Sequence, residues 1–133
     1  MNALSFVKLA AALSLGATLT ACAGLPPGYG QIYGQRYFKA PIDTYAVQII
    51  RVDNRDTTDT PTFVDPGLRK ITVQGPPDGV HRLGEQRSID LQVAPCTRYY
   101  LVAQKANRLT PDFTVKVDYQ EAIGGCNAAV AMK

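Results

Sequence analysis

The 133-residue chain is expected to be all-β, a small antiparallel β-sandwich, and three observations point there. Past Pro41 the apolar residues recur with a period of two rather than 3.6. Turn-forming residues separate these runs at short intervals, as they do between the strands of a sandwich. Beyond residue 21 no window has convincing helical periodicity.

Each strand rests on its own pattern. Tyr45 to Val52 is β-rich and apolar on both faces, the composition of a central strand. The polar run Asp53-Asn54-Arg55-Asp56-Thr57-Thr58-Asp59-Thr60 reads as a solvated hairpin loop. Its three carboxylates would also suit calcium, but the spacing departs from the EF-hand loop and Arg55 sits among them. Leu68 to Gln74 is launched by the turn Asp65-Pro66-Gly67. Ser88 to Val93 alternates cleanly, with Ile89, Leu91 and Val93 on one face. Thr97 to Lys105 is again apolar on both faces. Phe113 to Tyr119 alternates, which predicts Phe113, Val115, Val117 and Tyr119 inward. Asp78-Gly79 and Thr110-Pro111-Asp112 mark the later loops.

The N-terminus has a different character. Residues 1–21 carry one charge, Lys8, followed by an apolar run ending in small residues, which describes a secretory signal peptide. A membrane span needs about 20 strongly apolar residues, and this run is shorter and rich in Ala and Thr.

Leu19-Thr20-Ala21-Cys22 resembles the lipobox of bacterial lipoproteins: an aliphatic residue, two small residues and a cysteine, placed at the end of the apolar run. The resemblance implies diacylglyceryl transfer to the Cys22 thiol and cleavage between Ala21 and Cys22. Stable anchoring takes more than one acyl chain, which a lipidated and N-acylated cysteine provides. The partner so implied is a membrane, and Ala23 after the cysteine favours the periplasmic face of the outer membrane. Two other readings stay open. Ala21-Cys22-Ala23 is also an ordinary signal-peptidase site, and Cys22 would be incidental in an uncleaved leader.

Residues 22–42 then form the lipidated cysteine and a flexible Gly/Pro/Tyr-rich tether, 43–126 the sandwich and 127–133 a C-terminal tail. Tyr-Gly-Gln occurs twice in the tether, at 29–31 and 33–35, spacing Tyr29, Tyr33 and Tyr37 by four. A helix would gather those rings on one face, but each of the three interspersed glycines costs about 1 kcal/mol there. A segment whose tyrosines stack on glycan or protein is the sharper alternative to a plain tether.

Val64-Asp65-Pro66-Gly67, followed by Leu91-Gln92-Val93 and Tyr99-Tyr100-Leu101-Val102-Ala103, is similar to the PEGA-type β-modules of bacterial envelope proteins. Those are compact Ig-like or transthyretin-like sandwiches. Asp-Pro-Gly stands where the naming Pro-Glu-Gly would be, and the resemblance implies a fold without an activity.

With lipid on Cys22, the remaining cysteines are the even pair Cys96 and Cys126, which an oxidising compartment would let bond. If Thr97 to Lys105 and Phe113 to Tyr119 pair as an antiparallel hairpin, the start of one lies beside the end of the other. Both cysteines then share one end of the sheet. Two buried free thiols are the alternative.

Little in the chain points to catalysis. Past residue 21 there is one serine, Ser88, without a nucleophile elbow, and one histidine, His81. These leave too few ligands for zinc, and no cofactor or metal is expected. Glu85 and Glu121 are the only glutamates for a glycosidase pair, and there is no Trp to stack a sugar. Losing Lys8 lowers the formal charge from +3 to +2, too little for a nucleic-acid partner. The cations at 51, 55, 69, 70, 82, 87, 98, 105, 108 and 116 read mostly as wet strand faces. The expected function is therefore a non-catalytic envelope lipoprotein acting as a structural or interaction module, with an envelope protein or glycan as partner. The alternative is a binding module for an envelope glycan or other anionic surface polymer.

Overall fold

The structure, a computed structural model, describes residues 28–35, 42–79 and 82–127. These residues form an all-β sandwich without a helix. In chain order the strands are β1 (Gly30–Tyr33), β2 (Thr44–Ala46), β3 (Gln48–Val52), β4 (Arg55–Asp56), β5 (Thr62–Val64), β6 (Gly67–Gln74), β7 (Gln86–Val93), β8 (Thr97–Gln104) and β9 (Thr114–Ala122). One sheet has the order β4-β3-β6-β7 and is antiparallel throughout. The other is built on β8, with β9 on one side and both β1 and β2 on the other. Strand β1 lies parallel to the first half of β8, β2 lies antiparallel to its second half, and β5 flanks β1.

The strongest alternation gave the most regular pairing. Strands β6 and β7 stay in register from Gly67↔Val93 to Gln74↔Gln86, which puts Ile71, Val73, Leu91 and Val93 on the core face. Tyr99, Leu101 and Ala103 of β8 meet them from the opposite sheet. Ile71, Val73 and Leu101 are 0% exposed, and burying side chains of this size contributes roughly 1.5–3 kcal/mol each. Val102 is also 0% exposed although it points to the other face of β8, as a strand apolar on both faces requires.

The structure adds β4 and β5, which no run predicts as strands, and departs from the expected elements in three further places. The run Tyr45 to Val52 is two strands in two sheets. The chain crosses between the sheets at Val47, whose N–H donates to the Gly34 carbonyl at 2.7 Å. A Cβ on Gly34 would lie 1.8 Å from the Val47 carbonyl oxygen, so this crossing needs glycine. Apolar residues on both faces suit a segment that serves two sheets as well as they suit one central strand.

Tyr119 does not point inward with Phe113, Val115 and Val117. Tyr100 pairs with Tyr119 but Leu101 pairs with Val117, leaving Asp118 as an extra residue. Such a bulge reverses the alternation, and Tyr119 joins Tyr100 on the outer face.

The tether reading fails for part of 22–42. Residues 30–33 form β1, held between β8 and β5, and Ile32 is 1% exposed. A Cβ on Gly30 would stand 2.4 Å from Val93 Cγ1, so this glycine marks a close approach between sheets and not a flexible joint. The described sandwich thus begins at Gly28, ahead of the boundary expected at 43.

Candidate functional site

Cys96 and Cys126 are joined by a disulfide, with Cα atoms 5.6 Å apart. The β8–β9 hairpin brings them together, since Thr97 pairs with Ala122 and the Ile123 N–H donates to the Cys96 carbonyl at 2.8 Å. The Cys96 N–H in turn donates to the Gly28 carbonyl at 3.3 Å. Gly28, the first described residue, therefore lies at the disulfide end of the sandwich. Ala21 and Cys22, the lipidation and cleavage positions, lie outside the described residues, as do Tyr37 and His81.

The candidates for chemistry are dispersed. Ser88 sits exposed on the outer face of β7, its Oγ 2.9 Å from the Thr72 hydroxyl. Glu85 pairs with Arg87, beside the turn that leaves β6. Glu121 pairs with Arg98 at the start of β8, the opposite end. Among the described residues no group of three His, Cys, Asp or Glu side chains could hold a metal ion.

Four of the seven arginines among the described residues are bonded to acids rather than displayed as one basic face. Arg51 meets Asp56, Arg69 meets Asp53, Arg87 meets both Glu85 and Asp112, and Arg98 meets Glu121. On the outer face of β8 the Arg98 guanidinium also donates to Gln31 Oε1 at 2.9 Å and lies 5.6 Å over the Tyr33 ring. Tyr33 stacks on Tyr100 with centroids 5.2 Å apart. Burial pushes the Tyr100 phenol up, and Glu121 beside it acts in the same direction while Arg98 opposes. This cluster ties β1, β8 and β9 together.

Among the described residues a groove of about 560 Å³ lies on the flank where β4 and β5 form the sheet edges. Tyr29, Val52, Phe63 and Val64 give it apolar surface, and the β3–β4 hairpin forms a polar wall. Asp53 and Asn54 both have positive φ, 47° and 66°, as in the two-residue turn that matches strand twist. The solvated loop expected at 53–60 is thus a tight hairpin followed by the approach to β5.

Within the groove Arg69 is fixed. It donates to Asp53 Oδ2 at 3.0 Å and to the Asp65 and Pro66 carbonyls at 3.0 and 3.1 Å. The Lys70 N–H at 2.9 Å and the Arg69 guanidinium hold the Asp53 carboxyl below the usual carboxylate range. A carboxyl depressed on folding adds stability above its unfolded value, about 3.9, and loses it as pH falls through the folded value. Asp53→Asn is therefore expected to make the loss of stability below about pH 4 less steep. Circular dichroism during acid titration checks this, and an unchanged slope would refute it. Arg55, Asp59 and Asp65, by contrast, have no ion pair among the described residues.

Sequence reasoning missed this groove because its wall residues are far apart in the chain, from Tyr29 to Arg69. The available signal was the apolar pair Phe63-Val64 between a polar loop and a turn. No family profile matches the chain, and neither a curated protein nor a solved structure matches it.

Proposed function

We propose that this chain is a lipid-anchored, non-catalytic interaction module of the bacterial cell envelope, held to the outer membrane through Cys22. The observation that carries the reading is cysteine arithmetic. Three cysteines are present and two of them bond to each other, so the third is the one at the end of the lipobox-like run. A disulfide in a small domain also fits an oxidising compartment.

Five residues, 23–27, separate Cys22 from Gly28. Fully extended, that stretch reaches at most about 20 Å. The disulfide end would then lie next to the bilayer, and the loop carrying Leu109 would point away from it.

The wild-type protein is expected in the membrane fraction and in the detergent phase, with a mature N-terminal peptide carrying acyl groups on Cys22. Cys22→Ala is expected to block maturation or to release a soluble form. A mature N-terminus at Gly24 without lipid would overturn the reading.

A further inference from the structure

The groove is bordered by a strand edge that has no neighbour among the described residues. Strand β5 pairs with β1 on one side only. Among the described residues no backbone group of Thr62, Phe63 or Val64 has a partner on the other side. Unpaired N–H and C=O groups on an edge are a template for another extended chain.

The opposite flank has long edges too, but they are guarded. Strands β7 and β9 approach each other there. Strand β9 carries the Asp118 bulge together with Lys116 and Glu121, devices that discourage strand addition. At β5 there is no bulge and no charge within the strand.

The charge of the groove indicates what kind of chain it suits. Its lining holds four aspartates against two arginines, a formal −2 in a protein of formal +3. Two of the aspartates are neutralised by Arg51 and Arg69, whereas Asp59 and Asp65 have no ion pair among the described residues and outnumber the one unpaired cation of the lining, Arg55. Tyr29 and Phe63 offer aromatic surface between them.

From this juxtaposition we infer that the β5 edge takes an extended, basic peptide segment of a partner protein by strand addition. The inference rests on the interaction-module reading and names the partner's chemistry. The partner's backbone completes the hydrogen bonds of β5. Its lysine or arginine side chains meet Asp59 and Asp65, and its apolar side chains rest on Tyr29 and Phe63. A three-residue edge gives few backbone bonds, so the charges are needed for selectivity.

The test uses the full exported chain in detergent micelles. The probe is a short capped peptide alternating lysine and valine, and the readout is amide hydrogen exchange at Thr62, Phe63 and Val64. New protection is expected at those of these amides that point away from β1, which alternate along the strand, with binding about tenfold weaker for the glutamate–valine counterpart and for Asp59→Asn/Asp65→Asn, as the loss of charge-assisted contacts warrants. A peptide with proline at alternate positions should not protect them, since it cannot form the ladder.

Absence of protection at 62–64, or equal binding of the proline peptide, would overturn the inference. So would equal binding of the glutamate peptide, or protection by an oligosaccharide of N-acetylglucosamine in place of the peptide. The same preparation reports lipidation by mass. Lipidated protein that ignores the peptide sinks the strand-addition site alone, and unlipidated protein that binds it sinks the anchor alone.

Discussion

Replacing Cys96 and Cys126 together by serine is expected to lower the stability of the sandwich by about 3.5 kcal/mol in the chain-entropy view of disulfides. The bond joins positions 30 apart, so its removal restores considerable freedom to the unfolded chain. The native state would lose a pin as well. Past Ala122, the C-terminal segment is held to β8 by this bond and by the Ile123 N–H on the Cys96 carbonyl. Cys96 itself has φ 53°, a left-handed conformation that an L-residue occupies at a cost and that the crosslink helps to hold. For a domain of this size the net stability is about 5 kcal/mol, so the double variant should be close to unfolded at 37 °C. Urea denaturation of oxidised and reduced protein measures the effect. A midpoint that does not move on reduction would contradict it.

The elements that could be read from the sequence are those whose cause is local. Strands β7 and β9 announce themselves because Ile89, Leu91 and Val93, and Val115 and Val117, alternate with polar residues along single runs, whereas β8 shows as a run apolar on both faces and β6 through the turn at 65–67. The same local rule misplaced Tyr119, because a bulge is set by the partner strand and leaves no mark on alternation. It also fused β2 with β3, because the crossing at Val47 depends on Gly34, 13 positions earlier. Turn signals served less well where the turn lacks glycine. The run 53–60 reads as a hairpin loop, but nothing in it shows that Asp53-Asn54 alone makes the turn and that β4 follows at once.

The groove was not legible for the same reason. It exists because β1 brings Tyr29 beside β5 and because Asp53 folds back on Arg69, 16 positions away. No short window contains both halves of such an arrangement. The lipobox-like run is the opposite case, a signal read by enzymes from an unfolded chain, and it is carried within four consecutive residues.

Strand β1 separates the structure from the tether reading most sharply, and Ile32→Ala is the substitution that tests it. A side chain on a flexible tether can be truncated at almost no cost, as can the 89% exposed Ile42, for which the change should be within about 0.5 kcal/mol. Ile32 is 1% exposed in the core cluster with Val64, Val93 and Tyr99, so the same truncation should cost roughly 2–5 kcal/mol. Its neighbour Gln31 is held on the other face by Arg98, so β1 is fixed from both sides. Deleting residues 28–35 should be more severe still. It would strip the first half of β8 and all of β5 of their common partner, and remove the Gly34 carbonyl that receives Val47. That protein is expected to lose the cooperative transition altogether. Denaturation of Ile32→Ala beside Ile42→Ala decides the matter: equal midpoints would return residues 28–35 to the tether, and a midpoint lowered only in Ile32→Ala places them in the sandwich.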